Sequence, residues 1–216
     1  KTKISFGEFE PEDRIKKEHE IIDCSDIVVA NSVAEANQLK ELYAAPEERI
    51  AVVPLGVEHA FFAPGNQDAA RAAIGLDRGP VVTYVGRLQP LKGVDLALEM
   101  FAELQIENGV FLIVGGASGT RGDKEVSELR QRIKELELEQ QVRIIAPQPH
   151  HILSTYYRAS DMVVVPSKSE SFGLVALEAA ACGTPVIAAS VGGLQDLVLH
   201  GMTGYLVNER DPKLYA

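Results

Sequence analysis

The sequence predicts an α/β protein built on a Rossmann-like, doubly wound parallel sheet with helices on both faces. From Val81 onward, short apolar runs rich in β-branched residues alternate with longer helical patterns, which is typical of parallel sheets. A shorter β–α–β pattern at residues 27–53 predicts a second, partial unit of the same kind. The charged residues that stand out follow predicted strands, and ligands of such sheets bind at the carboxyl ends of the strands.

The partial unit comes first in the chain. A helix is predicted over residues 11–25, where Pro11 suits the first turn. An apolar strand at 27–30 is followed by a helix that begins after Ser32 and runs to about residue 45, because Ser32 and Glu35 have the spacing of a capping box. The next apolar strand, at 50–53, completes the unit.

A connection without periodicity separates this unit from the main one. Residues 55–65 are aromatic and rich in turn-forming residues, and a short helix is predicted over 68–74. The predicted organisation is therefore a closing part of an N-terminal domain at 1–56, a linker with a short helix at 57–79, and the main domain at 80–216. The chain begins without Met and ends in a helix-like pattern, and we expect it to be a piece of a longer protein.

The main domain shows six apolar runs of strand length and five helical patterns. The strands are predicted at 81–85, 110–114, 142–146, 163–165, 186–189 and 205–207. The helices are predicted at 94–106, 123–139, 152–159, 172–182 and 194–200. Each loop after a strand is then a candidate ligand-binding loop.

Composition excludes several classes of function. The formal net charge of −10 and a pI of about 5.0 argue against nucleic acid as a partner, so phosphate must be held by a few local cations. No apolar run approaches the roughly 20 residues of a membrane span. Cys24 and Cys182 fit no metal or redox spacing, and we expect both to be buried free thiols in a reducing, cytoplasmic setting.

Two cations share the loop that follows the strand at 81–85. Arg87 can fork onto two phosphate oxygens and Lys92 acts as a point charge, so together they can neutralise a diphosphate. Gly86 and Gly93 bracket them and allow the backbone to approach a ligand. The alternative is a pair of solvated surface cations.

The stretch at 166–191 reads as strand end, loop, helix, turn and strand, so a loop feeds a helix N-terminus that favours anions. Two carboxylates bracket this turn. Glu170 precedes the helix, whereas Glu178 lies within it among apolar residues and needs hydrogen-bond donors. A ribose diol supplies two donors, each bond to a charged group contributing about 1.5–3 kcal/mol. The alternative is one exposed loop acid and one exposed helix acid.

Other motifs are weaker. The glycine-rich segment 115–119 is not a G-x-G-x-x-G fingerprint and no P-loop is present, so no nicotinamide, flavin or P-loop site is expected. His150 and His151 are adjacent, but no third ligand stands at a recognisable spacing. We expect surface histidines and no metal site.

Three segments carry a family resemblance. They are V-G-R-L-Q-P-L-K-G at 85–93, P-S-K-S-E-S-F-G-L-V-A-L-E-A at 166–179 and G-T-P-V-I-A at 183–188. In combination they resemble the donor-binding half of retaining glycosyltransferases of family 4, which have the GT-B fold of two Rossmann-like domains. Within that family, P-E-D-R at 11–14 and V-V-P-L-G-V at 52–57 are similar to the sucrose-phosphate synthase group and the glycosyltransferase of mycothiol synthesis.

The resemblance implies roles for the residues that match its motifs. Arg87 and Lys92 would bind the donor diphosphate and stabilise the charge of the leaving group. Glu170 would contact hydroxyls of the donor sugar, and with Arg87 and Lys92 it forms the implied catalytic set. Glu178 would bind the ribose hydroxyls.

The resemblance implies three further groups of contacts. Backbone and loop contacts to the donor sugar and phosphate fall on Gly86, Ser171, Phe172, Gly173 and Leu174. Gln148 would lie where the nucleobase is read, mostly by main chain. Arg14 would belong to the acceptor side, and residues 1–56 to the acceptor domain.

The implied reaction is transfer of a hexosyl group, with retention of configuration, from a nucleoside diphosphate sugar, expected to be UDP-linked, to a hydroxyl of a sugar, polyol or sugar-phosphate acceptor. No cofactor is required. We expect the 216-residue chain to bind nucleotide but to transfer sugar poorly or not at all, and we leave open whether the full-length enzyme is membrane-peripheral or dimeric. The alternatives are a nucleotide-sugar epimerase-like enzyme, a non-catalytic nucleotide-sugar-binding module and an excised fold unit with no activity.

Overall fold

The computed structural model describes residues 13–76, 79–117 and 122–216. Three parts of the sequence predictions lie outside these ranges: the start of the first helix at Pro11, the first half of the P-E-D-R segment, and the end of the glycine-rich segment 115–119. Among the described residues, no helix is long and apolar enough to cross a membrane.

The first unit is a two-stranded parallel sheet with its helices. Its elements are helix α1 (Arg14–Cys24), strand β1 (Val28–Ala30), helix α2 (Val33–Tyr43), a 3₁₀ turn (Glu47–Arg49) and strand β2 (Ile50–Val52). Ser32 caps α2, since its hydroxyl accepts from the backbone N–H of Glu35 at 3.1 Å. The Glu35 carboxylate in turn accepts from the N–H of Asn31 at 2.7 Å, one residue earlier than in the usual capping box.

The second unit is a six-stranded, wholly parallel sheet with strand order β5-β4-β3-β6-β7-β8. Its strands are β3 (Val81–Val85), β4 (Val110–Val114), β5 (Val142–Ile145), β6 (Met162–Val165), β7 (Val186–Ala189) and β8 (Gly204–Val207). Its helices are α4 (Val94–Leu104), α5 (Gly122–Glu135), α6 (His150–Ala159), α7 (Leu174–Ala181), α8 (Leu194–Leu197) and α9 (Pro212–Tyr215), preceded by α3 (Gln67–Ala73). The predicted fold class is confirmed.

Two apolar cores cover the two faces of this sheet. Along β4, Phe111 and Ile113 enter one core, whereas Leu112 and Val114 enter the other. Neighbouring side chains on a strand point to opposite faces, so a strand buried on both sides must be apolar throughout. This burial explains why central strands such as β4 and β6 read as continuous apolar runs.

Helix ends differ from the predicted bounds where the backbone turns. Helix α5 stops before residue 139 because Glu137 is left-handed (φ +58°) and the N–H of Leu138 returns to the carbonyl of Ile133 at 3.0 Å, which is a helix-ending arrangement. Helix α8 stops before residue 200 because the N–H of Leu199 bonds the Thr203 hydroxyl at 3.0 Å instead of continuing the helix.

The linker packs on the second unit. Phe62 is buried in the core of that unit, and Arg158 donates to the carbonyls of Phe61 and Ala63 at 3.2 and 3.3 Å. Helix α3 is tied to the strand ends by an Arg71–Asp161 ion pair of 2.7 Å. Residues 61–73 therefore lie on the six-stranded unit.

The two cysteines differ in exposure. Cys182 is buried and Cys24 is exposed at the last position of α1, both as free thiols. The prediction that both thiols are buried is wrong for Cys24, because Cys24 lies on the exposed side of the last turn of α1, in which Ile22 is the buried residue.

Candidate active site

A cleft of about 650 Å³ opens at the carboxyl ends of β3 and β6. These are the adjacent strands at which the strand order reverses, and such a switch point is where open α/β sheets bind ligands. The cleft is lined by Asn31, Leu55, Tyr84, Val85, Gly86, Arg87, Lys92, His150, Val165, Ser167, Glu170, Ser171, Phe172, Gly173, Leu174 and Val175. Most of the residues that the sequence singles out thus meet in one place.

The cationic loop forms one wall of this cleft. The Lys92 ammonium bonds the Glu170 carboxylate at 2.6 Å, and the Ser167 hydroxyl donates to the same oxygen at 3.2 Å. The side chains of Lys92 and Glu170 are largely buried, with 22% and 18% of their surfaces exposed. Arg87 is exposed to the cleft and, within the described ranges, makes no ion pair.

Glycines hold the cationic loop against its neighbours. Gly93 is left-handed (φ +71°), and a Cβ there would lie 2.3 Å from the carbonyl oxygen of Pro166. A Cβ at Gly115 would lie 1.8 Å from the carbonyl oxygen of Gly86. The start of the glycine-rich segment after β4 therefore allows the cationic loop to pack closely, which explains glycine there without a dinucleotide site.

Helix α7 begins at the cleft as well. Gly173 precedes it with φ +105° and offers no side-chain cap, and Leu174 and Val175, its first residues, line the cleft. The first N–H groups of a helix have no intrahelical acceptor and carry the positive end of the helix dipole. Buried Phe172 (7% exposed) anchors the approach to this helix.

A Gly192–Gly193 turn supports the loop that carries Glu170. The N–H of Gly193 donates to the carbonyl of Glu170 at 3.1 Å. A Cβ at Gly192 would lie 1.8 Å from that same carbonyl oxygen, and Gly192 is left-handed (φ +51°). The Gly-Gly pair stands directly before the helix predicted at 194–200, and such a pair permits close backbone approach.

Glu178 lies one helical turn beyond Leu174 and is 7% exposed. Its Oε2 accepts from the Tyr157 hydroxyl at 2.7 Å, and no described residue donates to its Oε1. Burial raises the pKa of Glu178, whereas the Tyr157 bond and nearby His150 oppose that rise. An exposed helix acid is therefore excluded, as the apolar neighbours in the sequence indicate.

Three predicted residues are absent from the cleft lining: Glu178, Gln148 and Arg14. The Gln148 amide donates to the carbonyl of Ala146 at 2.8 Å, within its own loop. Arg14 lies on α1 and pairs with Glu18 at 2.6 Å. Their assigned roles remain predictions.

Sequence reasoning assigned no role in the cleft to several residues that line it, among them His150 and Asn31. His150 begins α6 and lines the cleft, with its ring 5.8 Å from that of Phe62. Asn31 reaches the cleft from the first unit, and its neighbour Ser32 donates to the carbonyl of Ser171 at 2.7 Å. The position of each residue after a strand was the available signal. Among the described residues, no group of three His, Cys, Asp or Glu could hold a metal ion.

A parallel sheet whose switch point carries a cationic loop and a helix N-terminus is typical of α/β domains that bind phosphate-containing ligands. The chain belongs to the glycosyl transferases group 1 family, whose model matches residues 66–216. The family predicted from the sequence motifs is thereby confirmed.

The relatives share both sequence and fold. The chain is 47% identical over 214 residues to a D-inositol 3-phosphate glycosyltransferase of Acidothermus cellulolyticus, covering 96% of this chain and 48% of that protein. Sucrose-phosphate synthase from Thermosynechococcus elongatus superposes with a TM-score of 0.86 at 34% identity, over 95% of this chain and 51% of that one. Anabaena HepE, solved with UDP and glucose, superposes with a TM-score of 0.86 at 26% identity, over 94% of this chain and 55% of that one. The chain spans about half the length of the curated relatives it matches.

Proposed function

We propose that the chain forms the donor-binding half of a glycosyltransferase that moves a hexosyl group from a UDP-linked sugar to a hydroxyl acceptor with retention of configuration. The observation that carries this proposal is the pairing of Arg87 and Lys92 with the start of α7 across one cleft. Solved structures of Anabaena HepE with UDP and with UDP-glucose support the choice of donor.

The proposed chemistry is electrostatic. As the bond between sugar and diphosphate breaks, negative charge grows on the leaving group, and preorganised positive groups stabilise it most effectively. Arg87 has no competing carboxylate among the described residues and presents its fork to the diphosphate. Lys92 adds a second charge, and the N–H groups of Leu174 and Val175 add uncharged donors.

In this proposal the carboxylates accept hydrogen bonds from hydroxyl groups of the donor. Glu170 is fixed by Lys92 and Ser167 at the cleft, so its remaining oxygen faces donors on the sugar. Glu178, deeper along α7, accepts from the ribose. Residues 80–216 then bind the donor, whereas residues 1–56 contribute to the acceptor side through Asn31 and Arg14.

The acceptor is proposed to be a polyol phosphate. The relatives that are named D-inositol 3-phosphate glycosyltransferases support this choice. Arg14 would contact the phosphate, and to do so its guanidinium must leave Glu18, which it bonds at 2.6 Å. No nucleic-acid partner and no metal cofactor enters the proposal.

Calorimetric titration of the 216-residue chain with UDP, GDP and ADP tests the donor site. UDP should bind most tightly, and Arg87→Ala and Glu178→Ala should each weaken UDP binding about tenfold or more. If UDP does not bind, or if neither substitution changes its affinity, the assignment fails. The matched control is Arg130→Ala, at an exposed position of α5 away from the cleft lining. This substitution should leave the affinity for UDP unchanged.

A turnover assay with UDP-glucose and inositol phosphate separates binding from transfer. We expect nucleotide binding with little or no transfer by this chain, and measurable turnover would overturn that expectation. Epimerisation of the UDP-sugar without an acceptor would instead favour the epimerase-like alternative.

A further inference from the structure

Tyr157 lies behind the carboxylate of Glu178 and is fully buried (0% exposed). Its hydroxyl donates to Oε2 of Glu178 at 2.7 Å. Tyr157 belongs to α6 and Glu178 to α7, so this bond joins two helices. The Glu178 side chain is therefore oriented by a group on another element and not by its own helix alone.

Tyr157 is itself held in place. Its carbonyl accepts from the Thr184 hydroxyl at 2.7 Å, in the turn after α7. Its ring packs against that of Phe62, with 6.0 Å between centroids. A phenol held at its backbone and at its ring cannot follow a moving carboxylate, so the position of the hydroxyl dictates where Oε2 lies.

The second oxygen of Glu178 is left for another donor. A carboxylate can accept at both oxygens, yet Oε1 receives no hydrogen bond from any residue in the described ranges. A ligand hydroxyl that reaches Oε1 would supply a donor there.

We propose that Tyr157 is a positioning residue that clamps Oε2 of Glu178 so that Oε1 is presented to the ribose hydroxyls of the donor. This inference rests on the proposed donor site and deepens it, because it names the group that orients the ribose-binding carboxylate. Tyr157 touches Glu178 and is assigned no contact with the donor.

The ionisation of Glu178 gives this role a distinctive signature. Burial raises the pKa of Glu178, and the Tyr157 bond and His150 lower it. Cys182, directly after the end of α7, is the other titratable group that interacts with Glu178 in the described part of the chain. The ionised carboxylate is the better acceptor, so UDP affinity should fall as the pH drops through the raised pKa. Without the hydroxyl the pKa rises further, and the fall should begin at a higher pH.

The test compares Tyr157→Phe with the matched control Tyr156→Phe. The control removes a tyrosine hydroxyl from the neighbouring residue, and that hydroxyl makes no bond to Glu178. Calorimetry uses UDP and a UDP analogue that lacks both ribose hydroxyls, over a range of pH. Tyr157→Phe should weaken UDP binding about tenfold near neutral pH and shift the fall in affinity to higher pH. Binding of the analogue should be unchanged, as should all binding by Tyr156→Phe.

Each outcome decides a different claim. If the native chain does not bind UDP, the proposed donor site fails and this inference fails with it. If UDP binds and Glu178→Gln weakens it, but Tyr157→Phe changes neither affinity nor pH profile, only the positioning role is overturned. If Tyr157→Phe does not fold, 3-fluorotyrosine at position 157 tests the positioning role instead. Its phenol has nearly the same shape but is more acidic, so it donates a stronger hydrogen bond to Glu178. It should move the fall in affinity to lower pH, and no shift would refute the role.

Discussion

Substituting Gly192 by alanine should displace the loop that carries Glu170 and so weaken donor binding. The Cβ of Gly192→Ala would lie 1.8 Å from the carbonyl oxygen of Glu170, whereas real Cβ atoms essentially never approach below 3.0 Å. The Glu170 loop or the Gly192 turn must therefore move by about 1.2 Å, and displacements of roughly 1 Å in a site can cost about a hundredfold in function. We expect UDP affinity to fall at least about tenfold.

The stability of the fold should fall as well. Alanine in the left-handed region costs about 1–2 kcal/mol, and overpacking adds about 1–3 kcal/mol. We expect a total loss of about 2–5 kcal/mol in the free energy of unfolding, measured by urea denaturation. The bonds that Gly193 and Lys92 make to Glu170 would be strained together.

Gly201→Ala is the matched control for this prediction. Gly201 is also left-handed (φ +76°), but a Cβ there meets nothing within 4 Å. Gly201→Ala should lose only the backbone contribution of about 1–2 kcal/mol and should bind UDP like the native chain. The reasoning is refuted if Gly192→Ala loses no more stability and no more affinity than Gly201→Ala.

Three further predictions concern side chains. Lys92→Met should weaken UDP binding about ten- to a hundredfold, since it removes a cation and leaves the Glu170 carboxylate without its ion-pair partner. Adding Glu170→Gln should restore part of the affinity. Calorimetry on the single and double variants checks this prediction, and no recovery in the double variant would contradict it. Asp161→Ala should lower stability by about 1–2 kcal/mol in urea unfolding, because Asp161 accepts from the N–H of Val81 at 2.7 Å and anchors α3; an unchanged midpoint would count against this anchoring. Glu178→Gln should alter how stability depends on pH. The raised pKa of Glu178 means that the folded chain holds this proton more tightly than the unfolded chain, so native stability should decline as pH rises from below the ordinary value of 4.5 through the raised pKa. Glu178→Gln should lack that decline in urea unfolding at a series of pH values, and an identical profile would contradict the assignment.

Sequence reasoning reached the sheet and the two walls of the cleft because both depend on local signals. Strands such as β3 and β4 are buried on both faces and read as apolar runs, so their bounds matched the prediction. The cations at 87 and 92 follow one of these strands, and topology alone brings them opposite the loop that carries Glu170. The alternation of elements thus contains most of the information needed to place the site.

The remaining features depend on contacts between residues far apart in the chain. The clamp of Tyr157 on Glu178 spans 21 positions, and the bond of Ser32 to Ser171 spans 139. Neither contact has a local pattern, since a tyrosine on an amphipathic helix and a serine at a helix N-cap are ordinary residues there. The packing of Gly192 on the Glu170 carbonyl is likewise visible only once the two loops are placed together.

A crystal structure of the chain with UDP tests the central claim most directly. The account predicts a diphosphate between the loop at 86–93 and the start of α7, within hydrogen-bond distance of Arg87 and Lys92, and ribose hydroxyls on Oε1 of Glu178. The cleft between α4 and α5 is a useful comparison, since it is of similar size at about 450 Å³ but lined by several carboxylates. UDP bound there, or bound in the cleft with its diphosphate away from both cations, would contradict the account.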